Sequence, residues 1–211
     1  MLKIDFLGDS ITEGYGTSAK ENIYVNVLAK ILPAEVCSDG IGGTRIAKQK
    51  EISEDPIWDL DFIGRVENLD KDADFVVVFG GTNDYGHGDA PIGKMGDKTP
   101  WTFYGAMDYI INELLKYFKL EQLIFILPLY RLNEDSPHGD GFNCRVIKEP
   151  LSRYREVMSE VLNKYGVRIL DVKDKFGKAE NNKYLLDGLH PNDEGHKYLA
   201  ELIAEYIRSI M

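Results

Sequence analysis

The sequence predicts an α/β protein, a three-layer sandwich in which one parallel sheet carries helices on both faces. Two observations predict it. Apolar runs at residues 75–79 and 123–127 are rich in β-branched and aromatic residues and lack polar alternation, as strands buried on both faces do, and a shorter run at 2–7, which includes Lys3 and Asp5, also reads as a strand. Between them lie longer stretches whose apolar residues recur at helical spacing. Strand and helix alternate about five times, which implies parallel strands joined by right-handed crossovers.

Residues 2–7 form the first strand and run into Gly8-Asp9-Ser10-Ile11-Thr12-Glu13-Gly14, a serine in a polar loop with a glycine at each end. Tyr24, Val25, Leu28, Ile31 and Leu32 share one face of a helix over 24–32, ended by Pro33. A short strand over 35–38 leads into Asp39-Gly40-Ile41-Gly42-Gly43-Thr44. Three glycines in four residues mark a backbone that needs unusual dihedrals or a close approach. Ile57, Trp58, Phe62 and Val66 mark a helix after Pro56.

The third strand, Phe75–Phe79, ends in Gly80-Gly81-Thr82-Asn83-Asp84. Residues 85–100 are polar and glycine-rich, long for a connection, and such loops tend to serve function. Met107, Ile110, Ile111, Leu114, Leu115 and Phe118 place a helix over 103–118. Residues 123–127 are a strand stopped by Pro128, and a second polar loop covers 129–146. Tyr154, Val157, Met158, Val161 and Leu162 place a helix over Leu151–Tyr165, terminated by Gly166. Residues 167–170 are the last strand, and 171–186 carry no clear pattern. Asp187-Gly188-Leu189-His190-Pro191-Asn192 then precedes a final helix of about 17 residues, with Tyr198, Leu199, Leu202, Ile203, Tyr206, Ile207 and Ile210 on its apolar face.

With 211 residues and no repeat, low-complexity tract or linker, the chain reads as one domain over 1–211. Its net charge of -10 argues against nucleic acid or an anionic membrane surface as partner, since both favour a basic patch. No apolar run nears the ~20 residues that span a bilayer, so no membrane insertion is expected. The first residues enter a strand at once, without the basic and apolar regions of a signal peptide. Two cysteines, Cys37 and Cys144, do not make a disulfide framework. These features predict a reduced, cytoplasmic protein and leave its oligomeric state open.

In a parallel sheet the loops after the first three strands emerge at one edge, so Ser10 and the glycine stretches 40–43 and 80–84 are expected together. Ser10 is the candidate nucleophile, weak until a base takes its proton. A lone serine in a glycine-rich loop is, however, more often a turn residue or helix N-cap. His190 is the candidate base, because imidazole titrates near neutrality. By itself it also reads as a surface histidine before a helix. Asp187 can reach Nδ1 of the same ring if the turn between them is tight, although an aspartate beside a glycine is commonly a turn residue. Asn83 and Gly43 are candidate oxyanion donors, with the Ser10 N–H as a third, and turn formation explains the same residue types.

The other histidines, His87, His138 and His196, carry less of the argument. A metal reading would gather Asp187, His190, Asp193 and His196. Their spacing is not the i, i+4 histidine pair of a helix-borne site and no cysteine joins them, so no metal is expected. Residues 40–43 lack the spacing and the lysine of a phosphate-binding loop. Asp59, Asp61, Glu67, Asp70 and Asp72 read as a solvated acidic face. The 85–100 loop holds Asp89, Lys94, Asp97 and Lys98 and is followed by Trp101, Phe103 and Tyr104, a polar rim with aromatics.

These segments carry a resemblance. The chain resembles the GDSL esterase/lipase superfamily, also called SGNH hydrolases. Gly8-Asp9-Ser10-Ile11 stands where the family has G-D-S-L or G-D-S-I. Gly40-Ile41-Gly42-Gly43 is similar to the second block, with Gly43 at its oxyanion glycine; Ser38 stands where that block often opens with asparagine. Gly81-Thr82-Asn83-Asp84 matches G-x-N-D, and Asp187-Gly188-Leu189-His190 matches D-x-x-H. The blocks fall in family order from Gly8 to His190. The resemblance implies a flavodoxin-like, five-stranded parallel sheet and no cofactor. It implies a serine esterase acting on a small-molecule carboxylic ester through an acyl-enzyme. Ser10 would be the nucleophile, His190 the base, Asp187 its orienting carboxylate, and Ser10, Gly43 and Asn83 the oxyanion hole. The polar, aromatic-edged 85–104 segment favours a sugar or a small polar acyl ester over a lipid. An inert ester- or carbohydrate-binding module on the same fold is the alternative. A nucleotide-binding protein is disfavoured by the acidic charge and the ordered blocks.

A histidine base implies an acid limb. Free imidazole takes up its proton near pH ~6.5, so the rate of ester hydrolysis should fall on the acid side of neutrality. A profile that stays flat down to about pH 4 would exclude a histidine base.

Overall fold

Strand β1 (Leu2–Gly8) lies between β2 (Ala34–Gly40) and β3 (Phe75–Phe79), and β4 (Leu123–Ile126) and β5 (Arg168–Leu170) extend the sheet beyond β3. The order is β2-β1-β3-β4-β5 and every neighbouring pair is parallel. This computed structural model describes residues 1–141, 144, 146–179 and 182–211, so parts of the loops expected over 129–146 and 171–186 lie outside the described residues.

The helices, in chain order, are α1 (Ser10–Glu13), α2 (Tyr24–Ile31), α3 (Phe62–Arg65), α4 (Thr82–Gly86), α5 (Phe103–Leu114), α6 (Leu151–Tyr165), α7 (Lys173–Phe176) and α8 (Asp193–Ile210). Two apolar cores form because successive strand residues point to opposite faces. On β3, Val76 and Val78 enter one core with Met107, Ile110 and Ile111 of α5 and Val157, Met158 and Val161 of α6. Phe75, Val77 and Phe79 enter the other with Tyr24 and Leu28 of α2 and Leu199, Ile203 and Ile207 of α8. All five β3 side chains are buried, which is why the strand reads as an unbroken apolar run.

Helix ends follow local chemistry. Asn192 caps α8 by accepting the Gly195 N–H at 3.0 Å, and Thr102 caps α5 by accepting the Gly105 N–H at 3.1 Å. Gly166, in the left-handed region at φ 76°, ends α6.

Several expected boundaries move. The second strand is longer than 35–38, because Asp39 and Gly40 continue the ladder opposite Leu7 and Gly8. Helix α5 stops at Leu114; residues 115–118 tighten into turns that still bury Phe118. The single helix expected after Pro56 does not form. Asp55 accepts the Ile57 N–H and Asp61 accepts the Gly64 N–H, so the segment breaks into a short 3₁₀ turn and α3. Tyr85, expected in a loop, is fully buried in α4. Among the described residues no helix is long and apolar enough to cross a membrane.

Phe125, at 0% exposure on β4, tests the packing. Phe125→Ala should cost about 3–5 kcal/mol in denaturant unfolding. A loss below ~1 kcal/mol would mean that this face of the sheet is loosely filled.

Candidate active site

The sheet order sets the place of the site. β2 lies on one side of β1 and β3 on the other, so the segments leaving β1 and β3 diverge at the carboxyl ends of the strands and open a crevice. Gly8 pairs with Gly40 and with Phe79, so the segments after all three strands start at one level. Gly40 allows α1 to fold onto the end of β2: a Cβ there would lie 2.3 Å from the Glu13 nitrogen.

Ser10 opens α1. Asp9 caps the helix, its Oδ1 accepting the Ile11 N–H at 3.0 Å. The Ser10 Oγ lies 3.0 Å from His190 Nε2, and His190 Nδ1 lies 2.8 Å from Asp187 Oδ2. Asp187 is pinned by its other oxygen, which accepts the N–H groups of Leu189 at 3.0 Å and His190 at 2.8 Å. Burial by itself would raise this carboxyl. The His190 backbone N–H, the imidazole and the Leu189 N–H outweigh it and hold Asp187 below the usual carboxylate range. An ionised Asp187 accepts a hydrogen bond from Nδ1–H, which leaves Nε2 free to accept from Ser10. The Tyr15 ring packs 4.3 Å from the His190 ring and covers it.

Gly43 sits at φ 73°, with the Trp58 ring within 2.2 Å of where a Cβ would stand, so only glycine fits. Among the described residues no acceptor pairs with the backbone N–H of Ser10 or of Gly43. Asn83, 4% exposed, donates one amide hydrogen to the Thr44 carbonyl at 2.9 Å and has a second to give. Asp84 is buried and accepts the Ile46 and Ala47 N–H groups at 2.8 and 2.9 Å, fixing the chain just beyond Thr44. Its burial raises its carboxyl.

Beside Gly43 a cleft opens, lined in part by Arg45, Gln49, Ser53, Trp58, His87 and Asp89. The Arg45 guanidinium is 3% exposed; it donates to Ser53, Trp58 and Asp59, and its Nε has no partner among the described residues. Asp59 therefore belongs to this half-buried network and not to a solvated face. Asp61 caps α3. Of the aromatics after the 85–100 loop, Phe103 and Tyr104 are buried in the core and Trp101 lies 5.9 Å from the Lys48 ammonium.

The histidines separate by role. His196 faces the core: its Nδ1 accepts the Tyr24 N–H at 3.2 Å and its Nε2 donates to the Tyr15 carbonyl at 3.4 Å. Asp193 accepts from Ser18. The four residues of the metal reading thus do not converge, and among the described residues no group of three potential ligands does. His87 bonds the Gly43 carbonyl, a contact that sequence reasoning missed. Its only signal was its place four residues after Asn83, where one helical turn returns the chain to the same side. Glu13, Tyr15 and Trp58 were missed for the same reason: each acts by touching backbone or a ring far away in sequence.

A model of the GDSL-like lipase/acylhydrolase family matches residues 6–198. Among solved structures, a protein from Lactobacillus plantarum superposes with a TM-score of 0.80 at 28% sequence identity, over 99% of this chain and 97% of that one. The aryl esterase of M. smegmatis gives a TM-score of 0.75 at 18% identity over 100% of both chains. An acetyl xylan esterase gives 0.67 at 21% identity over 98% of this chain and 100% of that one. At such identities the two esterases share the fold. No curated protein sequence matches the chain.

Two buried groups near the serine titrate in opposite senses. Burial dominates at Asp9 and raises its carboxyl to about 7, against the Ile11 N–H and the Arg65 charge. Burial likewise lowers His196 to about 4. Unfolded, such groups titrate near ~3.9 and ~6.5. From about pH 4 to 7 folded Asp9 keeps a proton that the unfolded chain has lost, so its contribution to stability falls as pH rises. From about pH 4 to 6.5 folded His196 lacks a proton that the unfolded chain holds, so its contribution rises. Asp9→Asn keeps an oxygen for the Ile11 N–H and removes the falling contribution. Urea midpoints measured from about pH 4 to 7 should therefore climb more steeply for the variant than for wild type. Parallel curves would show that Asp9 does not hold its proton in the fold.

Proposed function

The chain belongs to the GDSL-like lipase/acylhydrolase family, and we propose that it is a serine esterase whose nucleophile is Ser10. The observation that carries this reading is the continuous chain of hydrogen bonds from Ser10 Oγ through His190 to Asp187, at 3.0 and 2.8 Å. Ser10 Oγ attacks the ester carbonyl carbon while His190 Nε2 takes its proton. Asp187 holds the ring in the required tautomer and stabilises the imidazolium that forms. The N–H groups of Ser10 and Gly43 and the second amide hydrogen of Asn83 receive the oxyanion. Collapse expels the alcohol, protonated by His190. Water, deprotonated by the same ring, then releases the acid and restores Ser10.

The substrate we propose is an ester of a short acyl group, acetyl among them, on a polar alcohol such as a carbohydrate. Two features support it. The cleft beside Gly43 combines the Trp58 and His87 rings with Arg45, Gln49 and Asp89, a lining suited to hydroxyl groups over an alkyl chain. Similar folds also occur in an acetyl xylan esterase and an aryl esterase. A cytoplasmic location is part of the same proposal, supported by the free thiols of Cys37 and Cys144.

The test is hydrolysis of para-nitrophenyl acetate, butyrate and octanoate by wild type and Ser10→Ala, with folding followed by circular dichroism. The expected result is preference for acetate and a loss of at least ~10³-fold in kcat/KM for the folded variant. Equal rates would remove Ser10 from the chemistry. A wild-type protein that cleaves no ester and takes no fluorophosphonate on Ser10 would be an inert binding module.

A further inference from the structure

The weakest point of the proposed oxyanion hole is the peptide that carries the Gly43 N–H. It joins Gly42 to Gly43, and with glycine on both sides its plane can turn over at little steric cost. A turned peptide would present a carbonyl oxygen where a donor is needed. Both neighbouring peptides are anchored by side chains outside the Ser10–His190–Asp187 chain. On one side the Gly42 N–H donates to Glu13 Oε2 at 2.9 Å. On the other, His87 Nε2 donates to the Gly43 carbonyl at 2.9 Å.

His87 is itself held. Its Nδ1 lies 2.9 Å from Asp140 Oδ2, Arg131 donates to the other oxygen of Asp140, and its ring packs 4.9 Å from the Trp58 ring. Burial pushes the Asp140 carboxyl up, but the His87 hydrogen bond and the Arg131 charge outweigh it, so Asp140 is held below the usual carboxylate range. A carbonyl can only accept, so the ring donates from Nε2. Arg131 also donates to Thr82, next to Asn83. The His87 side of the clamp is thus tied to helix α4, which carries the Asn83 amide.

We propose that Glu13 and His87 are positioning residues that clamp the 41–44 loop and fix the direction of the Gly43 N–H. The clamp stands on the hydrogen bonds above; its effect on turnover rests on the esterase reading. Misplacing a transition-state donor by about 1 Å can cost on the order of 10²-fold, and losing one outright costs about 10²–10³-fold.

The test uses Glu13→Ala, Glu13→Gln, His87→Ala and His87→Gln in the full chain, with global folding checked by circular dichroism. Glutamine can accept from Gly42 at position 13 and donate to Gly43 at position 87. Backbone ¹⁵N order parameters of Gly42, Gly43 and Thr44 are read first, because they need no activity. They should fall from about 0.85 to below about 0.6 in the alanine variants and stay high in the glutamine variants. With para-nitrophenyl acetate, kcat should drop about 10–100-fold in the alanine variants with KM within about twofold. The dissociation constant of phenylboronic acid, which forms a tetrahedral adduct on the serine, should rise by the same factor. A rigid loop in both alanine variants, or glutamine variants as loose as alanine, would overturn the clamp. A loosened loop with unchanged kcat would overturn its positioning role. If wild type cleaves no ester, the esterase reading fails alone and the order parameters still decide the clamp.

Discussion

One buried guanidinium ties the carboxyl edge of the sheet together. Arg65, 5% exposed, donates to the carbonyls of Gly8 at 3.0 Å, Asp39 at 2.9 Å and Leu60 at 3.0 Å, and to Thr44 Oγ1 at 2.9 Å. Strand ends are where ladder bonding stops, and buried carbonyls without partners are costly. Arg65 supplies those partners for β1, β2 and the 41–44 loop at once. Desolvation works against its charge, and Asp39, in an ion pair at 3.1 Å, and Asp9 oppose that loss. The serine helix and the glycine loop are both placed relative to this one cation.

How much of this was legible in the sequence depends on the range of the interaction. β3 and β4 were legible because burial on both faces forces an unbroken apolar run, and α8 because one face must match the sheet. The meeting of Ser10 with the 40–43 and 80–84 stretches was legible from topology, since parallel strands deliver their following loops to one edge. The 46–70 segment was not, because Asp55 and Asp61 decide it by bonding to nearby backbone N–H groups, which an apolar period does not register. Asp59 looked solvated for the same reason: the arginine that buries it stands 14 residues away. Glu13 and His87 were invisible as partners of glycine backbone, because a backbone group is the same at every position and leaves no mark on the sequence.

The site is largely main chain. The proposed oxyanion donors and the groups that aim them are the amides of Ser10, Gly42 and Gly43 and the carbonyls of Gly43 and Thr44, held by side chains from α1, α3 and α4 and by His87 just after α4. Side chains can be exchanged around such a frame, which is the physical sense in which a fold at 28% identity still superposes over 99% of this chain.

The Ser10–His190 hydrogen bond joins residues 180 positions apart in sequence. Closing so long a loop costs entropy that is returned only after the strands between have paired and α8 has docked on the sheet. The proposed nucleophile and base therefore meet late on the folding route. During synthesis the ribosome releases Ser10 well before His190. On the proposed esterase reading, catalysis awaits the docking that brings His190 to Ser10, and a reactive serine would mark the completed fold.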